Sequence, residues 1–242
     1  MNTIKKNIPN AITSLNLLFG CIALVLIFHN KLVDAACMVL FAGIADFFDG
    51  MAARLLKVHS AIGKELDSLA DVVSFGVVPG MMIFKLIDNT GNLVDESDIV
   101  RWIGLSIPVF AALRLAKFNI DERQATYFIG VPTPAVALLI SSFPLILIYN
   151  AADFYDSASG HVTLRWIFVA VSIICSALMV LPIPLISMKF KNMSWTGNKS
   201  RFLLLILSLI SIIVFRFASV PIIMMLYIVL SLFANPAKET HE

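Results

Sequence analysis

Apolar stretches long enough to cross a bilayer follow one another along almost the whole chain, near 11–29, 32–56, 66–87, 100–118, 131–149, 165–188, 202–217 and 219–235. Inside hydrocarbon no water satisfies the peptide groups, so a spanning segment is either a helix or part of a closed barrel. A helical span needs about 20 apolar residues and a spanning strand only about 9–11, so runs of this length are helices. The composition agrees: 59% of residues are hydrophobic and 14% charged, where soluble domains carry about 25% charged residues. The expected fold is all-α, a polytopic integral membrane bundle of about eight transmembrane helices.

The ends of the chain refine that expectation. Residues 1–10 read as a short interfacial helix, with Ile4 and Ile8 on one face beside Lys5 and Lys6. Pro9 is expected to mark a change of direction before the first span. The apolar run from Ala11 to Phe28 exceeds the roughly 7–15 residues of a signal-peptide core, so it is read as a retained span. The last two stretches are separated only around Ala218 to Pro221, which fits a tight helical hairpin or one broken, tilted element. Pro108, Pro144, Pro182 and Pro184 fall within or near spans, where neighbouring helices can satisfy the carbonyls a proline frees. A single domain over 1–242 is expected, with a six-helix core over about 1–190 and two additional helices over about 202–235. Cys21, Cys37 and Cys175 sit in apolar runs without CxxC spacing, as packing residues rather than a disulfide framework.

Charge sets the orientation. With the N-terminus inside, thirteen cations fall in inside segments or helix ends: Lys5, Lys6, Arg54, Lys57, Lys64, Arg114, Lys117, Arg123, Lys189, Lys191, Lys199, Arg201 and Lys238. Five fall outside: Lys31, Lys85, Arg101, Arg165 and Arg216. Asp88, Asp95, Glu96, Asp98, Asp153 and Asp156 also lie outside. The excess of inside cations places both termini in the cytoplasm of a cell membrane.

Against this apolar background four aspartates stand out. Asp46 and Asp49 close the second stretch, and Asp67 and Asp71 open the third. Spaced three and four apart, each pair shares one helix face. A carboxylate at the centre of a membrane helix costs roughly 2.5–3.5 kcal/mol on insertion scales, which marks such a residue as functional by default. Four within 26 positions, on helices joined by a short cytoplasmic turn near Lys57 to Ala61, repel one another unless cations intervene. Two divalent ions held by oxygen ligands balance four negative charges, and such a pair clamps both oxygens of a phosphoryl-type displacement. Gly50 leaves room beside Asp49 for a ligand to approach the helix. Arg54 sits at the membrane edge, where a guanidinium meets a phosphate or a carboxylate, and Gly63 permits close helix contact. Other readings are a purely structural cluster, which Arg54 alone cannot neutralise, and a cation transporter, which ordinarily binds its ion near the bilayer midplane. His29, His59, His161 and His241 are scattered at helix ends or termini, and no Ser–His or Cys–His arrangement is visible.

The pattern D-x2-D-G-x2-A-R-x8-G-x3-D-x3-D, formed by Asp46, Asp49, Gly50, Ala53, Arg54, Gly63, Asp67 and Asp71, resembles the signature of the CDP-alcohol phosphatidyltransferase family. The resemblance implies a membrane enzyme that moves a phosphatidyl group from a CDP-linked lipid to an alcohol and releases CMP. It implies that Asp46, Asp49 and Asp67 bind Mg²⁺ or Mn²⁺, two ions in all. Asp71 would touch metal and act as general base on the acceptor hydroxyl. Gly50, Ala53, Arg54 and Gly63 would shape the nucleotide and diphosphate site. A homodimer is also implied, among membrane lipids and with no nucleic-acid partner.

Within the family, Ser68-Leu-Ala-Asp71-Val-Val-Ser74-Phe75-Gly76 and Ile8-Pro9-Asn10-Ala-Ile-Thr13-Ser-Leu-Asn16 resemble the phosphatidylserine synthase branch. So do Ala112-Leu-Arg114-Leu-Ala-Lys117-Phe-Asn119 and Gly130-Val-Pro132-Thr-Pro134-Ala. The phosphatidylglycerophosphate synthase branch typically has Pro and Lys where this chain has Ser68 and Val72. The implied substrates are CDP-diacylglycerol and L-serine. Other acceptors, such as glycerol 3-phosphate or inositol phosphate, and an archaeal-type donor are alternatives. Arg114 and Lys117, three apart, are candidates for the serine carboxylate or a substrate phosphate, or for anchoring the helix end among headgroups. Asn10, Thr13 and Asn16 recur at three-residue spacing on the first span, either to bond the cytidine or to pack neighbouring helices. Gly76 and Gly80 form a GxxxG helix-contact pattern.

Overall fold

The computed structural model describes residues 2–58, 60–90, 99–120, 128–155, 157–186 and 198–234. Its helices are α1 (Asn2–Phe28), α2 (Leu32–Leu56), α3 (Ala61–Asp71), α4 (Val78–Asn89), α5 (Ser106–Ile120), α6 (Thr133–Tyr149), α7 (Ala152–Tyr155), α8 (Ala158–Val180), α9 (Lys199–Phe215) and α10 (Ser219–Ala234). A π-helical stretch, Val72–Val77, joins α3 to α4, and a 3-10 stretch, Ile99–Leu105, leads into α5. The sole strand pairing among the described residues is β1 (Phe128–Ile129) against β2 (Pro184–Leu185), antiparallel, with Phe128 opposite Leu185.

Five helical stretches are long and apolar enough to cross a membrane: Asn7–Phe28, Ala61–Asn89, Ile99–Ile120, Ser159–Val180 and Lys199–Phe233. The expected count of about eight is not reached by this measure. Thr133–Tyr149, at 17 residues, is a shorter apolar helix, and α9 and α10 count as a single stretch. They are nevertheless two helices that fold back on each other at Arg216, whose φ is +51°. Of the two arrangements open for this segment, the hairpin is the one that forms.

The separate interfacial helix expected over residues 1–10 does not form. α1 runs unbroken from Asn2 to Phe28 with Pro9 inside it. Pro9 removes one hydrogen bond, to a carbonyl near the helix start where water can replace it, so the loss is small. The apolar stretch itself begins at Asn7.

The site-bearing helices are set by local chemistry. α2 buries small residues on one face, including Ala35, Val39 and Ala42. α2 stops at Lys57, which takes the left-handed conformation (φ +52°) while its backbone N–H bonds the carbonyls of Ala53 and Arg54. α3 begins at Ser60, whose hydroxyl accepts the Gly63 backbone N–H at 2.9 Å, an N-cap. The turn foreseen near Lys57 to Ala61 is therefore closed by a cap on each side.

The core lies beneath this end and includes Val39, Phe75, Met82, Ile107, Ile140 and Phe168, each 0–1% exposed. Gly76 and Gly80 supply a close helix contact within the chain. A Cβ at Gly80 would lie 2.6 Å from Pro108 Cδ, and one at Gly76 would lie 3.1 Å from Ala111 Cβ. Helix packing inside the bundle accounts for the GxxxG pattern without a second copy. Pro144 lies inside α6, Pro108 in the first turn of α5, and α8 ends before Pro182 and Pro184. Cys21, Cys37 and Cys175 are free thiols.

Several cations counted for orientation lie outside the described residues: Arg123, Lys189, Lys191 and Lys238. The same holds for Asp95, Glu96, Asp98 and Asp156, and for His59 and His241.

Candidate metal centre and active site

The hairpin between α2 and α3 brings the aspartates together. One carboxylate oxygen from each of Asp46, Asp49 and Asp67 lies within 4.8 Å of the others. The donor set is all carboxylate oxygen, which suits a hard divalent cation. The fourth aspartate, Asp71, stands one turn beyond Asp67 on α3, and its carboxylate lies near that of Asp46. Two carboxylates in that relation need a proton or a cation between them. Among the described residues no basic side chain forms an ion pair with any of the four. Asp49 and Asp71 are buried, at 6% and 9% exposure, so water compensates them poorly.

α1 completes the site. Thr13 Oγ1 lies 2.6 Å from Asp49 Oδ2 and 3.0 Å from the Pro9 carbonyl. A hydroxyl has one proton, and the shorter, charge-assisted contact is the one it serves. Asn16 Nδ2 donates to Asp71 Oδ1 at 3.2 Å. Asn10 Oδ1 lies where a Cβ on Gly63 would be only 2.8 Å away. The three-residue spacing explains this division. Each step turns the helix by 300°, so from Asn10 to Asn16 the direction drifts by about 120° while the chain climbs about 9 Å. The three polar residues thus meet three different parts of the site rather than one ligand face.

A cavity of about 510 Å³ opens beside the aspartates. Asn10, Thr13, Asp49, Gly50, Ala53, Gly63 and Asp67 line it, together with Ser60 and Lys64. A Cβ at Gly50 would meet nothing within 4 Å, so the helix backbone is bare toward open space there. At Gly63 the requirement is different: α1 packs so close that a side chain would strike Asn10. Arg54 is exposed and does not line this cavity, and neither do Asp46, Asp71 or Asn16.

Arg114 and Lys117 do not converge. Arg114 is 7% exposed, its Nη1 3.4 Å from Thr133 Oγ1 and its guanidinium 5.3 Å from the centre of the Phe118 ring. Its Nε has no hydrogen-bond partner, and the charge of Asp71 acts on it. Lys117 lies exposed on the same helix.

Sequence reasoning passed over several residues that shape the site. Ser74 is fully buried and donates to the Asn16 carbonyl at 3.0 Å. Lys64 brings a cation to the cavity wall and donates to the Asn119 carbonyl at 3.1 Å, while Asn119 Nδ2 donates to Ser68 at 2.8 Å. Thr133, fully buried, faces Arg114. The available signal was a run of hydroxyl and amide residues inside otherwise apolar spans.

Comparison with known proteins agrees with this chemistry. The CDP-alcohol phosphatidyltransferase family profile matches residues 6–178. The chain is 40% identical over 147 residues to the CDP-diacylglycerol–serine O-phosphatidyltransferase of Bacillus subtilis (strain 168), covering 58% of this chain and 79% of that protein. It is 29% identical over 228 residues to the enzyme of the same name from Helicobacter pylori (strain 26695), covering 91% and 87%. It is 32% identical over 170 residues to the archaetidylserine synthase of Methanothermobacter thermautotrophicus, covering 69% and 66%. With three aspartates converging beside a cavity and the profile spanning α1 to α8, the chain belongs to the CDP-alcohol phosphatidyltransferase family.

Proposed function

We propose that this protein transfers a phosphatidyl group from CDP-diacylglycerol to the hydroxyl of L-serine, giving phosphatidylserine and CMP. The observation that carries the reading is the convergence of Asp46, Asp49 and Asp67, none of them in an ion pair with a basic side chain among the described residues. The similarity to the serine-using enzymes of Bacillus subtilis and Helicobacter pylori supports serine as acceptor.

In this reading Asp46, Asp49 and Asp67 hold magnesium or manganese, two ions with Asp71 as an added ligand. Bound there, the metal offsets the carboxylate charge and draws electron density from the phosphate oxygens. The residues of the chain do the rest. Asn10, Thr13, Gly50, Ala53 and Gly63 form the wall against which the nucleotide and diphosphate lie, and Lys64 offers them positive charge. Arg54, exposed at the rim, meets the diphosphate from outside the cavity. Asp71 takes the proton of the serine hydroxyl as that oxygen bonds the β-phosphorus. The bond from this phosphorus to its bridging oxygen breaks, and CMP leaves with the electron pair. Holding the two reactants in line supplies most of the remaining advantage.

Arg114 is the residue we assign to the serine carboxylate. The guanidinium is buried, makes no direct ion pair among the described residues and keeps Nε unbonded, which leaves a donor free for a ligand carboxylate. Lys117 is exposed, which favours headgroup anchoring over acceptor contact. We further read the chain as one domain of about eight spans, with α9 and α10 an addition to the catalytic core. Both termini and the site face the cytoplasm, and the enzyme is a homodimer. The cations Arg54, Lys57 and Lys64 at the site end support the orientation, and the family resemblance supports the dimer.

The test is CMP release by the purified protein in lipid–detergent micelles with CDP-diacylglycerol and Mn²⁺ or Mg²⁺. L-serine, glycerol 3-phosphate and inositol phosphate are supplied separately. Release with serine alone is expected. Release with another acceptor alone would keep the chemistry and overturn the acceptor.

A further inference from the structure

Asn16 is fully buried on α1, in contact with the candidate base rather than with the cavity. Its amide N–H points to Asp71 Oδ1 at 3.2 Å. That orientation follows from chemistry, because an ionised carboxylate only accepts hydrogen bonds and the amide must turn its donor toward it. The remaining amide oxygen, Asn16 Oδ1, is buried with no partner. Leaving such an acceptor unsatisfied costs about 1–3 kcal/mol. A purely packing role does not call for that cost, since an apolar residue of similar shape avoids it.

The backbone around Asn16 is held as firmly as its side chain. Ser74 Oγ donates to the Asn16 carbonyl at 3.0 Å, across the gap between α1 and the π-helical stretch after Asp71. One turn further along α1, Gly20 lies so close to Ser74 that a Cβ there would collide with Ser74 Oγ. A π-helical turn costs regular hydrogen bonding and recurs at functional sites. Here it directly follows Asp71 and presents Ser74 to α1. Two hydrogen bonds and one glycine contact therefore fix α1 against the segment that carries the base.

We infer that Asn16 is a positioning residue for Asp71, clamped by Ser74 and Gly20, and not a nucleotide contact. It acts on the transfer step through Asp71: it fixes one carboxylate oxygen, which leaves the other to take the acceptor proton. The inference rests on the reading of Asp71 as general base.

The experiment compares wild type with Asn16→Leu, Ser74→Ala and Asp71→Asn. Each is first shown folded by monodisperse elution and thermal melting. CMP release is read with whichever acceptor supports wild-type turnover, so a wrong acceptor assignment shows in the wild type before any variant is scored. Asn16→Leu should lower kcat by about 10–100-fold, within the range a misplaced general base allows. KM for CDP-diacylglycerol should stay within about twofold. Ser74→Ala should lower kcat by a smaller factor in the same way, and it stands in for Asn16→Leu if that variant does not fold. Added to Asp71→Asn, Asn16→Leu should cause no further loss. A readout independent of turnover is the infrared carboxylate band of Asp71, identified by its disappearance in Asp71→Asn. It should shift in Asn16→Leu. A raised KM with unchanged kcat would assign Asn16 to the nucleotide instead. An unshifted Asp71 band, or unchanged kcat in both folded variants, would overturn the inference.

Discussion

One helical stretch, Ala61–Asn89, carries aspartates at both ends, and the two ends solve the problem of a carboxylate in opposite ways. At the far end Asp88 has two protein cations, Lys85 at 2.9 Å and Arg101 at 2.8 Å. At the near end Asp67 and Asp71 meet Asp46 and Asp49, and no described basic residue pairs with any of them. Asp88 is a finished structural contact. The cluster has no such partner among the described residues, which leaves it suited to a cation from outside the chain. That contrast separates function from structure better than the mere presence of aspartate in a membrane helix.

Substituting the two ends should therefore give opposite patterns. Asp71→Asn should lower CMP release by about 10²–10⁴-fold, the usual contribution of a general base, with the melting temperature retained. Asp67→Asn should also abolish most turnover. In chelator it should melt higher than wild type, because one of four repelling carboxylates is gone, by about 2–4 °C per kcal/mol relieved. Lower melting of Asp67→Asn in chelator would mean that the cluster is already compensated by the protein.

The two glycines sharpen the comparison inside the site. Gly63→Ala drives a methyl to within 2.8 Å of Asn10 Oδ1 and Ser60 Oγ. Overpacking of this kind costs about 1–3 kcal/mol, so melting temperature and activity should fall together. Gly50→Ala meets nothing within 4 Å. It should leave melting unchanged and raise KM for CDP-diacylglycerol several-fold, because the methyl enters the space meant for ligand. Equal KM values for Gly50→Ala and wild type would remove Gly50 from the binding wall. The smallest effect belongs to the finished end. Asp88→Asn loses two partly exposed ion pairs, about 0.2–1 kcal/mol each, and should leave turnover within about twofold.

The helices and the acidic cluster were legible in the sequence for related reasons. Length and hydropathy force helices in lipid, and the spacings 46/49 and 67/71 put each pair on one face. What periodicity cannot show is where neighbouring helices meet. Asn10, Thr13 and Asn16 share a regular spacing, yet the drift of that spacing around α1 sends them to Gly63, Asp49 and Asp71 respectively. The π-helical turn after Asp71 has no hydropathy signature, so the link from Ser74 to Asn16 was invisible. Pro9 misled for a local reason: near a helix start, a proline loses little and need not bend the chain. Arg114 was already the better candidate for a carboxylate by its chemistry, and the structure adds that it is buried while Lys117 is exposed.

The most direct measurement is Mn²⁺ binding to the purified protein in micelles, read as loss of the free-ion electron spin resonance signal. Wild type, Asp49→Asn and Asp88→Asn would be titrated side by side. The account predicts binding to wild type and Asp88→Asn and marked weakening in Asp49→Asn. Equal binding to all three, or none to wild type, would contradict it.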